Sequence, residues 1–245
     1  MKILHLDIEI SPTLATVWGL FNQNIALSQL TGNSEVLTWA AAWEGDDFVM
    51  HDGLHLSSKE EMITNIHGLL EEADVVVTYN GDRFDLKILN KEFLELGLPP
   101  PDPYVSVDLL KVVKKNFRFT SNKMDYVCQA LGIPGKMKHR GHEMWLECMN
   151  GDKKAFKEMS EYNVQDVIML EALFKRLRPW IRILNYSVFN QDLVCPHCGS
   201  RHYQSRGPRA TKSGIYQRYQ CQAKGCFGWF RGNKTEAQME KFIPL

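Results

Sequence analysis

The sequence predicts an α/β domain with a mixed β-sheet, followed by a small metal-binding module. Strand-like apolar segments come first along the chain, and strands then alternate with amphipathic helices up to about residue 180. This order is typical of an α/β domain whose sheet holds parallel and antiparallel strands. Four cysteines grouped near the C-terminus indicate the separate module. With 245 residues, 44% of them apolar, the chain is long enough for one large domain with an appendage, and it is not a disordered polymer.

Four strands are predicted before the first helix. The segment KILHLDIEI alternates, so that Asp7 and Glu9 share one face of a strand with Ile3 and His5. Apolar stretches separated by Gly, Asn and Asp predict further strands over residues 15–21, 36–43 and 48–51.

Helices and strands alternate in the rest of the domain. Serines open a helix over residues 57–73, and a buried strand, VVVTY, follows at 75–79. An amphipathic helix over 82–97 stops at Gly97, and the segment 105–117 is a short strand that runs into a helix. Two more helices are predicted over 123–131 and 153–177, before Pro179. We therefore divide the chain into a domain over 1–180, a linker over 181–192 and a module over 193–245.

The four grouped cysteines predict a structural zinc ribbon. Cys128 and Cys148 stand alone, whereas the group has the spacing Cys-x2-Cys, 22 residues, then Cys-x4-Cys, in Cys195, Cys198, Cys221 and Cys226. In a reducing cytosol such a group indicates a metal site, and four thiolates form a closed tetrahedral site for one Zn²⁺. Incidental free cysteines or a redox pair are the alternatives. His197 and His202 could replace a ligand, but with four cysteines available we expect them at the surface.

The balanced total charge conceals two modules of opposite charge. Residues 193–245 hold nine basic and two acidic residues, which leaves 20 basic and 27 acidic residues for 1–192. Aromatic residues are interleaved with the cations of the module, a mixture that suits single-stranded nucleic acid. One alternative is a docking module for a protein such as a DNA polymerase or replication protein. Another is that the aromatic residues only pack around the zinc.

Membrane insertion is not expected from this sequence. No segment approaches the ~18 consecutive apolar residues that a span requires. Asp7 and Glu9 interrupt the N-terminal apolar run that could have formed a signal segment. We expect a cytoplasmic protein without a membrane partner.

Four carboxylates are candidates for a divalent-metal site. Asp7 and Glu9 lie two positions apart on a strand that is otherwise apolar, where repulsion and desolvation oppose their ionisation. A divalent cation removes that cost. Asp85 follows the strand VVVTY at the C-terminal edge of the sheet, and Asp166 lies within the last long helix. Taken alone, Asp7 and Glu9 favour the interpretation as an exposed pair on a strand.

The segments LDIEIS, YNGDRFD and YNVQD resemble the three motifs of the DEDD superfamily, the DnaQ-like 3′-to-5′ exonucleases with a ribonuclease H-like fold. The middle segment has the Asn-x3-Phe-Asp form of proofreading domains in family-B DNA polymerases. Tyr162, four residues before Asp166, matches the tyrosine subclass, and Glu161 occupies the position of the other subclass's histidine. Ile10 departs from the usual threonine, which is not a metal ligand. The zinc ribbon and the lack of a polymerase domain make the chain most similar to stand-alone exonucleases of phages and bacteria. If it is encoded by a phage, we expect the protein to act in the cytoplasm of the host.

This resemblance implies a five-stranded ribonuclease H-like sheet flanked by helices, and a two-metal-ion mechanism with Mg²⁺ or Mn²⁺. Asp7 would bridge both ions, Glu9 and Asp166 would hold the ion that activates water, and Asp85 would act on the second largely through water. Tyr162 would orient the attacking water. The implied reaction removes nucleoside 5′-monophosphates from the 3′ end of single-stranded DNA. A ribonuclease on the same scaffold and a non-catalytic nucleic-acid-binding adaptor are the alternatives.

Several other residues are candidates for substrate contact. Asn80 is either a turn residue or a sugar contact. Phe84 either packs between a helix and the sheet or contacts the substrate. Trp18, together with Leu14 and Phe21, either packs in the core or stacks on the terminal bases of the substrate. The basic loop 136–142, with Lys138 and Arg140, guides a phosphate backbone or is simply solvated. Asp108 caps a helix or faces the cleft.

Overall fold

A mixed five-stranded sheet is the centre of the first part of the chain. Its strands are β1 (Ile3–Ile10), β4 (Val36–Trp43), β5 (Met50–Gly53), β6 (Val75–Thr78) and β7 (Val105–Asp108), in the order β5-β4-β1-β6-β7. β4 is antiparallel to both of its neighbours, whereas β1, β6 and β7 run parallel. Two short strands, β2 (Leu14–Ala15) and β3 (Leu30–Gly32), pair separately. The predicted mixed five-stranded sheet is therefore confirmed.

The computed structural model describes residues 1–135, 140–182, 184–188, 193–211 and 214–235. The chain forms two compact units, Met1–Leu173 and Phe174–Leu245. In the described ranges, no helix has the length and apolar character that crossing a bilayer requires.

Six α-helices are described: α1 (Lys59–Glu72), α2 (Asp85–Glu95), α3 (Leu109–Asn116), α4 (Met124–Ala130), α5 (His142–Met149) and α6 (Lys153–Leu177). Short 3-10 turns lie at Leu27–Gln29, Arg178–Trp180 and Tyr186–Val188. α1 begins at the predicted serine, since Ser58 and Glu61 form a reciprocal capping box. α5 was not predicted, because its start after Gly141 (φ +74°) falls beside the basic loop and only Met144 and Cys148 are buried along it.

The two faces of β1 are covered by different helices. Leu4, Leu6 and Ile8 lie in the main apolar core, which includes residues of α1 and α2. On the opposite face, Asp7 and His5 lie across from Ala40 and Ala42 of β4. Val167 of α6 packs on these two alanines. Because alanine side chains are short, they let the helix backbone come close to the face that carries the carboxylates.

The segment after β1 differs from its prediction. Only Leu14 and Ala15 form a strand, and the exposed fractions of Leu14, Trp18 and Phe21 are 39%, 99% and 83%. The expected strand over 15–21 and the expected core packing of these side chains are therefore wrong. The β1 pairing shifts register between Glu9 and Ile10, and the chain then pairs only with the three-residue β3.

The C-terminal module contains an antiparallel sheet of β8 (Tyr203–Thr211), β9 (Gly214–Cys221) and β10 (Trp229–Thr235), in the order β10-β9-β8. Tyr203, Tyr219 and Phe230 form an aromatic cluster with ring centroids 5.5–5.6 Å apart. Together with the buried cysteines, these rings provide the small core of the module. This architecture agrees with the predicted four-cysteine ribbon.

Candidate active site

Three of the predicted carboxylates meet above β1. One oxygen each of Asp7, Glu9 and Asp166 lies within 4.8 Å of the others. Asp7 and Glu9 share a face because strand residues alternate, and Asp166 reaches them from α6. Asp166 is 4% exposed, whereas Asp7 and Glu9 are half-buried.

Asn163 holds Asp7 in place. Its Nδ2 donates a hydrogen bond to Asp7 Oδ2 at 2.7 Å, and its Oδ1 accepts one from Thr38 Oγ1 at 3.3 Å. Asn163 is fully buried, and Thr38 lies opposite Glu9 in the β1–β4 pairing. The amide therefore connects both strands to α6 and fixes the orientation of the carboxylate. Sequence reasoning missed this residue, although it follows Tyr162 directly within the third motif.

Asp85 occupies the adjacent edge of the sheet. β6 pairs with residues Ile3–His5 of β1 and not with the rest of that strand. The chain after β6 turns into α2, whose first residue is Asp85. Asp85 Oδ1 accepts a hydrogen bond from the Ile8 backbone N–H at 3.2 Å. Burial raises the pKa of Asp85 to about 6, and the Asp108 carboxylate adds to the rise.

The turn that precedes Asp85 depends on two special residues. A Cβ on Gly81 would lie 2.3 Å from Thr78 Oγ1, so the turn requires glycine there. Asn80 has a φ of +74°, and its N–H donates to Asp108 Oδ1 at 2.9 Å. Asp108 also accepts from the Leu110 N–H at 3.0 Å, which confirms its role as the N-cap of α3.

Replacing Asp85 by asparagine should stabilise the protein in buffer without divalent cations. The pKa of Asp85 in the fold, about 6, exceeds the value of ~3.9 for an unfolded chain. The fold favours the protonated form of Asp85, so this side chain contributes most to the free energy of unfolding below pH ~4. That contribution is lost as the pH rises through about 6. At pH 8 we expect the variant to gain on the order of 3 kcal/mol, and at pH 4 almost nothing. Thermal unfolding at both pH values measures this. Equal stability at pH 8 would contradict it, and Asp46→Asn, at an exposed carboxylate, is the control.

Tyr162 and Asp166 lie one turn apart on α6. Tyr162 is 4% exposed, and Trp145 of α5 packs edge-on against its ring with centroids 6.3 Å apart. Trp145 also lines a cleft of about 310 Å³ with His142, Ser34 and residues 10–13, which directly follow Glu9. Sequence reasoning missed Trp145 and His142 because it did not predict α5. The cleft is thus connected to the carboxylate cluster through the chain after Glu9 and through Trp145, which packs on Tyr162.

The remaining predicted contacts have different surroundings. Phe84 is 40% exposed and is therefore not a core residue. The guanidinium of Arg140 forms a two-pronged ion pair with Glu147, at 3.0 and 2.7 Å, and a third contact with Glu158 at 2.9 Å. These carboxylates offset the charge that a phosphate contact would use, so we do not retain Arg140 as a substrate residue. Lys138 lies outside the described residues.

The four ribbon cysteines converge on one point, with sulfur atoms within 4.8 Å of one another. The Sγ atoms of Cys195 and Cys226 are 3.9 Å apart, and those of Cys198 and Cys221 are 3.7 Å apart. Zn–S bonds of ~2.3 Å at tetrahedral angles place sulfurs ~3.8 Å apart, so the cluster fits Zn²⁺. A disulfide would need ~2.05 Å. His202 is exposed, as expected, whereas the half-buried His197 makes a hydrogen bond of 3.1 Å to the Trp229 carbonyl.

The carboxylate cluster fits a different kind of ion. Its donors are oxygen atoms only, which suit the hard cations Mg²⁺ and Mn²⁺. A divalent cation would also offset the mutual repulsion of three carboxylates held within 4.8 Å. The two sites are therefore distinguished by their chemistry, oxygen in the first unit and sulfur in the second.

Comparison with known proteins gives matches of three kinds. A family model described as RNase_H superfamily matches residues 29–178, a range that includes Asp85, Tyr162 and Asp166 and begins after Glu9. Two curated relatives, both DNA polymerase 1 of Pyrococcus abyssi, one of them from strain GE5 / Orsay, are 25% identical over 147 residues. The match covers 51% of this chain and 19% of the polymerase.

The structure of the family B DNA polymerase from the hyperthermophilic archaeon Pyrobaculum calidifontis is similar in fold, with a TM-score of 0.54 at 17% identity. This similarity covers 73% of the chain and 24% of the polymerase. The chain thus spans a quarter or less of the length of these relatives.

Proposed function

The chain belongs to the ribonuclease H superfamily, and we propose that it is a metal-dependent 3′-to-5′ exonuclease that degrades single-stranded DNA. The resemblance to the DEDD exonuclease superfamily is supported by the family match and by the polymerase relatives. The observation that carries the proposal is the convergence of Asp7, Glu9 and Asp166, with Asp85 bonded to the same strand. We further propose the tyrosine subclass, in an enzyme of the phage or bacterial type.

The four carboxylates would hold two Mg²⁺ or Mn²⁺ ions. When bound, such ions supply an activated water and stabilise the leaving 3′-oxygen. Asp7, whose carboxylate is held by Asn163, would be a ligand of both ions. Glu9 and Asp166 would complete the site for the ion near the attacking water, while Asp85 would act from the sheet edge. One Zn²⁺ in the ribbon would be structural, and the reduced thiols suit a cytoplasmic setting.

Tyr162 would orient the attacking water. Its position one helical turn before Asp166 sets the hydroxyl on the same face as that carboxylate. Trp145 packs on the ring, which limits the rotation of the side chain. The cleft beside Trp145 would receive the terminal nucleotide, and hydrolysis would release it as a nucleoside 5′-monophosphate.

Changing Tyr162 to phenylalanine should reduce kcat by at least about tenfold and leave KM nearly unchanged. The ring and its contact with Trp145 remain, so only the hydroxyl that positions water is lost. Steady-state kinetics on a single-stranded oligonucleotide measures both constants. Tyr126→Phe, at a tyrosine that is 38% exposed on α4, serves as the control. A large rise in KM with unchanged kcat would show that Tyr162 contacts substrate instead.

DNA is the proposed substrate because the relatives are named DNA polymerases. Two exposed aromatic side chains could stack on the bases at the 3′ end of the strand. They are Trp18, which follows the first motif, and Phe84, which directly precedes Asp85. Asn80, in its turn beside the site, is proposed as a sugar contact.

We place the boundaries between the nuclease domain, the linker and the ribbon at about residues 180 and 193.

A time course with matched substrates tests the proposed function. The full chain is incubated with 5′-labelled single-stranded DNA, duplex DNA or RNA of one sequence, with Mg²⁺, with Mn²⁺ or without divalent cation. We expect degradation of single-stranded DNA that requires the cation. Degradation of RNA alone would identify an exoribonuclease. No degradation of any substrate would favour a non-catalytic adaptor, which could dock a DNA polymerase or replication protein through the ribbon.

A further inference from the structure

The ribbon sheet carries a cleft of about 260 Å³ whose lining includes none of the four cysteines. Three arginines and three aromatic residues are prominent in its lining: Arg209, Arg218, Arg231, Tyr216, Trp229 and Phe230. Alternation along β9 puts Tyr216 and Arg218 on the face opposite Tyr219. The core aromatic cluster of Tyr203, Tyr219 and Phe230 packs around Tyr219, and Phe230 is the cleft-lining residue that belongs to it.

Two of the arginines face each other across neighbouring strands. Arg218 of β9 pairs directly with Arg231 of β10. Like charges in this arrangement destabilise a sheet. Each guanidinium lies instead over an aromatic ring, Arg218 at 5.4 Å from the centroid of Trp229 and Arg231 at 3.8 Å from that of Tyr216. These cation–π contacts hold both charges in fixed positions at the surface of the cleft.

The described residues of the module provide no acidic side chain to balance the positive charge of this face. From residue 193 to 235 the sequence has eight basic residues and no aspartate or glutamate. In the described part of the chain, none of the three cleft arginines forms an ion pair with a carboxylate. Arg218 Nη2 donates a hydrogen bond to the Arg206 carbonyl at 3.1 Å, which orients the guanidinium but leaves its charge unbalanced. An anionic ligand would balance the positive charge of this face.

Aromatic surface accompanies the charge. Trp229 is 52% exposed at the cleft, although it packs against a guanidinium on one side. Phe227, two residues earlier, is 54% exposed. Anions such as free phosphate or an acidic peptide would use the arginines and leave these rings in water. A polyanion with flat apolar groups would use both.

We propose that this face of the ribbon is a binding site for single-stranded nucleic acid. Arg209, Arg218 and Arg231 contact consecutive phosphates, and a base stacks on Trp229. The site goes beyond the proposed nuclease function because it retains nucleic acid whether or not the strand is cut. A single strand fits better than a duplex, since only unpaired bases expose a face for stacking.

Fluorescence anisotropy with a labelled single-stranded 20-mer, measured over a range of salt concentrations, tests this site. All variants are made in the full chain carrying Asp7→Ala, so that the probe stays intact. The Arg218→Gln/Arg231→Gln double variant should weaken binding at least about tenfold and reduce the salt slope, log K against log salt, by about 1.4. Trp229→Leu should weaken binding on the order of tenfold with an unchanged salt slope.

Matched controls separate this site from general charge loss. Arg201→Gln/Lys224→Gln removes the same charge at exposed positions that do not line the cleft, and it should retain most of the affinity. A zinc content near one ion per chain shows that the ribbon of each variant is folded. The Arg218→Lys/Arg231→Lys double variant keeps the positive charge and should therefore preserve the salt slope. Equal losses in the two Gln double variants would overturn the proposal. So would binding of polyglutamate to the cleft in preference to DNA. Neither outcome would bear on hydrolysis, which the time course with active enzyme tests.

Discussion

The Asp7→Ala variant should hydrolyse single-stranded DNA at least on the order of 10³-fold more slowly than the unmodified chain. Asp7 belongs to the cluster of three carboxylates within 4.8 Å and is the residue proposed to contact both ions. Its loss also deprives Asn163 of a hydrogen-bond acceptor. The fold should persist, because Asp7 is only half-buried and the core on the other face of β1 is unchanged. Single-turnover degradation of a 5′-labelled oligonucleotide measures the rate, and circular dichroism reports the fold.

Asp46→Ala is the matched control for this experiment. It removes an exposed carboxylate near the β4–β5 connection and should keep the activity of the unmodified chain. Activity of Asp7→Ala within a few-fold of this control would show that the carboxylate cluster is not the catalytic site.

Serine in place of Cys221 should abolish zinc binding and unfold the ribbon. Structural zinc contributes about 10–16 kcal/mol to small zinc modules, and the ribbon has little else than an aromatic cluster to replace it. We expect less than about one tenth of an ion per chain and rapid proteolysis of residues 193–245. Elemental analysis and limited proteolysis measure the two effects.

The first unit provides the control for the loss of a cysteine. Cys128 lies fully buried in α4 and is not a member of the four-cysteine cluster, so Cys128→Ala should bind one zinc per chain. Full zinc content in Cys221→Ser would contradict the four-cysteine site and require another ligand. Cleavage of the ribbon in Cys128→Ala would show that the proteolysis reports general instability.

The parts of the site that could be predicted from the sequence are those set by local periodicity. Alternation along β1 puts Asp7 and Glu9 on one face, and helical spacing puts Tyr162 and Asp166 one turn apart. The cysteine spacing likewise predicts the ribbon cluster. Each of these predictions needs only the geometry of one element or the chemistry of one ion.

The parts that could not be predicted depend on contacts between distant segments. Asn163 is identified as a positioning residue only because Thr38 and Asp7 lie beside it across two strands and a helix. The apolar residues around Trp18 resemble a strand in sequence, yet Trp18 and Phe21 are exposed among the residues that the structure describes. The partners of Arg140 lie 7 and 18 residues away along the chain, so a basic loop gives no sign that its charge is paired.

End-labelled single-stranded DNA provides the most direct test of the central claim, that the carboxylate cluster performs metal-dependent hydrolysis from the 3′ end. The same oligonucleotide is labelled at its 5′ end or its 3′ end and incubated with Mg²⁺ and either the unmodified chain or Asp7→Ala. We predict immediate release of the 3′ label as a mononucleotide and a ladder that shortens one nucleotide at a time with the 5′ label. Both should be absent without divalent cation and in Asp7→Ala. Release of the 5′ label first, internal fragments, or equal activity in Asp7→Ala would contradict the claim.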